Sequence, residues 1–137
     1  MTLIRIGVFL LFTLITWPFK IDAEENPTQI TVRLTEYRFD PPQIALKIGE
    51  RAEITLVNQG TVTHEFITKA LKNLEVNVEV NGVVAETHGV AEVEIPPKTK
   101  VVIRFTPEKP GEFPTACQAK EPKDHFKEGM AGKLAFR

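Results

Sequence analysis

The sequence predicts an all-β domain that folds as a sandwich or barrel. After residue 28, most of the chain alternates apolar and polar residues with a period of two, which is the pattern of strands that bury one face. Glycine and proline separate these short runs, and no stretch shows a convincing helical period of apolar residues. With 137 residues, the chain has room for one domain with one modest core.

The first 23 residues are predicted to be a secretory signal. Arg5 gives a positive start, residues 6–19 are apolar, and Ile21-Asp22-Ala23 forms a tolerable cleavage site. The apolar run is shorter than the roughly 20 residues that a spanning helix needs, although an uncleaved membrane anchor is the rival interpretation. The sequence therefore predicts export to the periplasm or beyond, with a folded domain at residues 24–137 and no stable membrane association after cleavage.

Each of the first three predicted strands is closed by a turn signal. An Asp-Pro-Pro break ends the first strand, a Gly-Glu turn ends the second, and an Asn-Gln-Gly turn ends the third. These strands are predicted at residues 29–39, 43–48 and 51–58.

Six more strands are predicted in the rest of the chain. The first of them begins beside a histidine, the second ends at Asn81-Gly82, which is a strong hairpin signal, and the third ends at a Pro-Pro pair. Of the last three, the first two are separated by a turn and the last two by a long loop near the carboxyl terminus. The six are predicted at residues 63–67, 74–80, 90–95, 100–105, 112–117 and 133–136, and residues 66–74 have room for one helical turn.

Cys117 is the single cysteine of the sequence, which excludes an internal disulfide. Exported domains usually pair their cysteines, and an exposed free thiol outside the cytoplasm is open to oxidation. Cys117 is therefore either a buried residue that packs like an apolar side chain, or a residue whose thiol binds another group. His125 and Met130 follow it in the same loop, and thiolate, imidazole and thioether are the donors of a trigonal His/His/Cys copper site with a weak axial Met. The second imidazole has to come from another part of the chain.

Several motifs together resemble one known family over roughly residues 29–137. They are Phe39-Asp40-Pro41, Leu56-Val57-Asn58 followed by His64-Glu65-Phe66, Phe105-Thr106-Pro107 with Pro110-Gly111-Glu112-Phe113, and, most specifically, Gly129-Met130-Ala131-Gly132-Lys133-Leu134. With these motifs the chain resembles the cupredoxins, which are small Greek-key β-sandwiches that hold type 1 copper.

The resemblance implies a complete ligand set. By position, the copper ligands would be His64, Cys117, His125 and Met130, with one copper per chain. The protein would be a one-electron carrier rather than an enzyme, would work with a redox partner protein of unknown identity, and would be a monomer. His125 would be the exposed edge through which electrons pass.

Two features depart from the usual pattern of the family. Seven residues separate Cys117 from His125, more than in most copper loops of the family. The dinuclear copper domain of cytochrome oxidase subunit two is similar in this spacing, but it has a second cysteine where this chain has Glu121, so a dinuclear centre is not expected. Glu65 follows the first histidine, where the family commonly has Asn or a similar small polar residue that ties the ligand loops together. Either carboxylate could approach the metal as in red copper variants, although Glu121 is expected to be solvated among lysines.

The residues leave two other classes of function open. One is a periplasmic copper-handling protein, a chaperone or resistance protein, and the other is a carboxylate-ligated, red-copper-like site with a catalytic role. Zinc also accepts Cys, two His and a carboxylate. The formal net charge of −1 gives no reason to expect nucleic acid as a partner. No Ser/His/Asp array, phosphate loop or catalytic carboxylate pair is visible in the sequence, and His88 is predicted to be a solvated loop residue.

Overall fold

The computed structural model describes residues 26–137, and the predicted signal at residues 1–23 lies outside them. Within the described residues there are eleven strands and no helix. In chain order the strands are β1 (Thr28–Thr35), β2 (Arg38–Asp40), β3 (Gln43–Leu46), β4 (Ala52–Asn58), β5 (His64–Thr68), β6 (Glu75–Val80), β7 (Val83–His88), β8 (Glu92–Ile95), β9 (Lys100–Phe105), β10 (Gly111–Ala116) and β11 (Ala131–Phe136). No helix in this part of the chain is long and apolar enough to cross a membrane.

The strands form two sheets. The six-stranded sheet has the order β2-β1-β4-β9-β6-β7, and the five-stranded sheet has the order β3-β11-β10-β5-β8. Most pairs are antiparallel, but β1 pairs with β4 and β3 pairs with β11 in parallel. Two parallel neighbouring strands need a crossover connection. In both pairs here, the chain between the two strands passes through the other sheet. The prediction of an all-β sandwich is confirmed.

The core lies between the sheets and follows from the alternation of the central strands. In β4 every second residue is buried, and Ile54 and Leu56 face Ile103 and Val101 of β9 across the ladder. These four side chains have no exposed surface. The same continuous cluster of buried residues includes Cys117 and Met130, so the carboxyl-terminal loop is packed into the end of the core.

The prediction of one strand over residues 29–39 is wrong. A two-residue turn at Glu36 and Tyr37 divides the segment, and Thr35 pairs with Arg38 across it. Tyr37 has a positive φ of 66°, as hairpin turns of this length commonly require. Thr35 and Glu36 are both polar, so the alternation changes phase at the turn: the buried residues are even-numbered up to Leu34 and odd-numbered at Phe39.

Smaller differences affect the middle of the chain. The helical turn considered at residues 66–74 is absent from the described structure, where β5 is followed by turns. His88 ends β7 instead of lying in a loop, and its Nδ1 lies 2.7 Å from Oε1 of Glu75 on the surface. The hairpin predicted at Asn81-Gly82 is confirmed, since β6 and β7 pair directly across these two residues.

The core is expected to hold the domain together without any bound metal. Leu56→Ala should lower the free energy of unfolding of the metal-free protein by about 2–5 kcal/mol, because Leu56 is fully buried. The matched control Val83→Ala should change it by less than about 0.5 kcal/mol, because Val83 is 73% exposed. Urea unfolding with a chelator present, followed by circular dichroism, measures both. A random-coil spectrum for the metal-free wild type would contradict the prediction.

Candidate metal centre

The ends of two neighbouring strands place His64 and Cys117 together. His64 is the first residue of β5, and Cys117 directly follows the last residue of β10. These strands pair in the five-stranded sheet, with Ala116 opposite Ile67. The backbone N–H of Glu65 donates to Sγ of Cys117 at 3.2 Å. Strand pairing therefore fixes two of the four predicted ligands against each other.

The loop after Cys117 brings His125 to the same point. Nδ1 of His125 lies 3.2 Å from Sγ of Cys117 and 3.3 Å from Nδ1 of His64. The three potential ligand atoms all lie within 4.8 Å of one another, and all three side chains are fully buried. Three of the four residues that the sequence singled out thus form one cluster.

Met130 is attached to this cluster through its backbone. Its carbonyl accepts a hydrogen bond from the N–H of Cys117 at 3.1 Å, and its N–H donates to the carbonyl of His125 at 2.9 Å. The side chain of Met130 is fully buried. The loop is therefore closed at the point where Met130 enters β11, and its role as the axial ligand remains a prediction.

The carboxylates of Glu65 and Glu121 lie outside the cluster of potential ligand atoms. Oε2 of Glu65 accepts a hydrogen bond from the N–H of Gln118 at 3.0 Å, so this side chain ties β5 to the loop after Cys117. Glu65 thereby makes the kind of loop contact that the family resemblance implies for the small polar residue common at this position. The side chain of Glu121 is exposed, and only its carbonyl oxygen reaches His125, 3.1 Å from Nε2. Neither carboxylate belongs to the cluster of potential ligand atoms.

The expectation that His125 is an exposed edge is wrong. His125 has no exposed surface. The ring of Tyr37 contacts it edge-on, with ring centres 5.2 Å apart, and Nζ of Lys123 lies 5.9 Å from the centre of the Tyr37 ring. On another side, the long loop turns back so that the N–H of His125 donates to the carbonyl of Ala119 at 2.9 Å. The additional residues of the loop therefore cover the imidazole.

Sequence reasoning missed the residues that hold the segment before His64. The amide of the buried Asn58 donates to the carbonyls of Val62 and Ile95, both at 2.8 Å, and its Oδ1 accepts from the N–H of Gly60 at 2.8 Å. The sequence indicates a turn and a family motif at Asn58 but does not show that its side chain is buried, and a buried asparagine at a strand end commonly makes such bonds. These three bonds fix the path of the chain into His64.

Burial sets the charge state of the metal-free site. It raises the pKa of the Cys117 thiol, because desolvation disfavours the thiolate more than the N–H of Glu65 favours it. Burial also lowers the pKa of His64, and the neighbouring His125 adds to this effect. A neutral thiol and a neutral His64 imidazole are therefore expected in the core at neutral pH, and a bound cation would displace the thiol proton.

The donor set fits a single soft or borderline metal ion. Metal–nitrogen bonds of about 2.0 Å in a trigonal or tetrahedral site separate two nitrogens by about 3.3–3.5 Å. The two Nδ1 atoms are 3.3 Å apart, and the thiol sulfur is at a similar distance from one of them. Two imidazole nitrogens and one thiolate are donors that copper and zinc both accept, and a His2Cys set with a nearby Met is typical of copper.

Known proteins resemble this chain in sequence and in fold. Copper-resistant cuproprotein CopI of Rubrivivax gelatinosus is 29% identical over 127 residues, which cover 88% of this chain and 74% of that protein. Reduced auracyanin from Roseiflexus castenholzii has a TM-score of 0.57 at 18% identity, covering 82% of this chain and 99% of that one. A multicopper oxidase from Campylobacter jejuni has a TM-score of 0.56 at 14% identity over 84% of this chain, which spans 31% of the oxidase.

The sequence match to a protein family extends over nearly the whole chain. Residues 7–134 match the cupredoxin-like domain. The match agrees with the two-sheet sandwich and with the position of the clustered donors at the end of its core. The chain therefore belongs to the family of cupredoxin-like domains.

Proposed function

We propose that this protein is an exported mononuclear copper protein that carries one electron at a time. His64, Cys117 and His125 would hold the ion, and Met130 would be the weak axial ligand. The observation that supports this most is the convergence of two imidazoles and one thiol, all fully buried, within 4.8 Å in a cupredoxin-like sandwich. The redox partner would be another protein, and the domain would work as a monomer.

The surrounding residues suit an electron carrier because they hold the ligands in one arrangement. Asn58 fixes the approach to His64, and Glu65 ties β5 to the loop after Cys117. Copper, when bound, supplies the one-electron chemistry. A site that is held rigid in both oxidation states needs little rearrangement, and rigid support from hydrogen-bonded neighbours provides this. We propose no catalytic role, because the buried donors and the covered His125 give a substrate no direct approach to the ion.

Copper handling is the second candidate function. It is favoured by the sequence similarity to a protein described as a copper-resistant cuproprotein. A chaperone or resistance protein would use the same ligands but would bind the ion without cycling its charge. Reversible voltammetry of the copper-loaded protein at an electrode distinguishes the two functions. A stable, reversible one-electron wave supports the carrier, and loss of copper on reduction or oxidation supports handling.

The thiolate is expected to dominate the visible spectrum of the copper protein. Metal analysis should find one copper per chain, and Cys117→Ser should abolish the intense thiolate-to-copper band, because a hydroxyl is a poor replacement for a thiolate. The Glu112→Ser variant, in an exposed part of β10, is the control and should keep the band. Two coppers per chain, tight zinc without copper, or a band that survives in Cys117→Ser would contradict the proposal.

Met130 and Glu121 are expected to differ in their effect on the reduction potential. Met130→Leu should keep copper bound and raise the potential, because loss of an axial donor disfavours the more highly charged ion. Glu121→Gln should leave the spectrum and the potential nearly unchanged, because its carboxylate is exposed. Spectra and voltammetry of the two variants measure both effects. An indifferent Met130 together with a spectrum remodelled by Glu121→Gln would instead identify a carboxylate-ligated site and make catalysis the better proposal.

Tyr37 is expected to shield His125 from solvent reagents. In the metal-free protein, diethylpyrocarbonate should modify the exposed His88 quickly and His125 slowly, because Tyr37 and the loop cover the imidazole. Tyr37→Ala should speed the modification of His125, and Tyr37→Phe should not, since it keeps the ring. Mass spectrometry of the peptides gives both rates in one sample. Equal rates for His88 and His125 in the wild type would show that His125 is an open edge.

A further inference from the structure

One atom of the candidate metal centre has no partner in the network described above. Among the described residues, Nε2 of His64 is the buried side-chain nitrogen or oxygen that makes no hydrogen bond. Its residue is fully buried. Native proteins rarely leave such a group unsatisfied, and a histidine that ligates a metal almost always donates its other N–H to a carboxylate, a carbonyl or a water. An acceptor for the N–H of Nε2 is therefore expected close to it.

The carboxylate of Glu36 and this nitrogen lie on the same side of Gly60, around the position that a side chain at residue 60 would occupy. A methyl group placed on Gly60 would lie 2.7 Å from Oε1 of Glu36 and 3.0 Å from Nε2 of His64. Both atoms therefore border the same small space, and the sum of the two distances limits their separation to 5.7 Å. One water with two hydrogen bonds of about 2.8 Å at a tetrahedral angle joins atoms about 4.6 Å apart, which lies within this limit, and a small rotation of the Glu36 side chain can shorten the separation further. The space exists because residue 60 has no side chain.

Thr61, the residue after Gly60, holds the Glu36 carboxylate in this position. Oε1 of Glu36 accepts hydrogen bonds from the backbone N–H of Thr61 at 2.5 Å and from its hydroxyl at 2.9 Å. These bonds lower the pKa of Glu36 to about 2. An ionised carboxylate only accepts hydrogen bonds. A nitrogen that faces it is favoured in its N–H form, which leaves the lone pair of the other ring nitrogen, Nδ1, directed at Cys117 and His125.

We propose that Glu36 is a positioning residue for His64, accepting the N–H of its Nε2 beside Gly60 either directly or through one water. The contact fixes the tautomer in which Nδ1 is free to bind a metal, and it restrains the rotation of the ring. Its consequence for metal binding rests on the proposed function, but the tautomer of His64 does not. Glu36 is exposed, at the surface end of this contact, so it acts through His64 and touches none of the three donor atoms.

The same turn reaches the second imidazole through its next residue. Tyr37 contacts His125 edge-on, while Glu36 faces His64. Consecutive side chains of a tight turn can diverge in this way because the backbone reverses between them, and the positive φ of Tyr37 is part of that reversal. A single turn between β1 and β2 thus supports both candidate histidines from outside.

The test is the tautomer of His64 in the metal-free protein, read from long-range proton–nitrogen correlations of its imidazole. The wild type should show a single tautomer with the proton on Nε2. Glu36→Leu and Gly60→Ala should both shift the population toward the other tautomer, the first by removing the acceptor and the second by filling the space. Glu112→Leu, which removes a surface carboxylate paired with Lys133, should not. Thr61→Val, which keeps the carboxylate and one of its two donors, should also retain the wild-type tautomer.

A competition assay for copper affinity supplies the second readout. Glu36→Leu should bind copper about 10–100-fold more weakly than the wild type, as loss of such outer contacts to a ligating histidine commonly does. An unchanged His64 tautomer in folded Glu36→Leu would overturn the proposal, whatever the affinity. A shifted tautomer in a protein that binds no copper would support the positioning role and overturn the proposed function. Thermal unfolding of each variant checks that a shift does not arise from loss of fold.

Discussion

The structure depends on keeping two imidazoles and one thiol together inside an apolar core. Polar groups in such a place are unfavourable unless each has a partner, and Nδ1 of His125 lies 3.3 Å from Nδ1 of His64 and 3.2 Å from Sγ of Cys117. His64 and His125 lie 61 residues apart in the sequence, so tertiary structure alone brings them together. Pairing of β5 with β10 brings the first two donors together, and the hydrogen bonds between Cys117 and Met130 close the loop that carries the third.

Alternation of side chains was sufficient to predict the sandwich, because one buried face per strand leaves a period of two in the sequence. It failed at Glu36 and Tyr37, where two consecutive polar residues, Thr35 and Glu36, shift the phase of the alternation and the backbone turns. Neither residue belongs to the glycine and asparagine pairs that usually mark a two-residue hairpin, and it is the ring of Tyr37 that contacts His125. A turn used to support a site can therefore lack the usual turn residues and be marked by a break in the alternation instead.

The candidate site was predictable as a set of donor residues but not as a surface. Cys117, His125 and Met130 stand close together in the sequence, and the soft donors themselves indicate a metal. The sequence shows that seven residues separate Cys117 from His125, yet it does not show whether the loop folds away from the imidazole or over it. In the structure it covers His125, since Nε2 lies 3.1 Å from the carbonyl of Glu121. The function of Glu65 was equally hidden, because a carboxylate that ties two loops and one that binds a metal are the same residue type.

Covering both histidines affects the two candidate functions differently. A copper-handling protein has to release its ion to a partner. Ligands with no exposed surface, one of them covered by a loop, slow that release. An electron carrier keeps its ion, and electrons pass through covalent and packed contacts without any ligand leaving. The same cover removes the direct route through an exposed imidazole edge, so under the proposed function a redox partner would meet the protein at Tyr37 or at the loop of residues 118–124. These residues are charged in both signs, which favours a small, weak and oriented encounter over a broad apolar interface. For the proposed function, burial of the donors therefore favours an electron carrier over a copper-handling protein. The residues that cover His125, and not His125 itself, would then contact the partner and determine which partner binds.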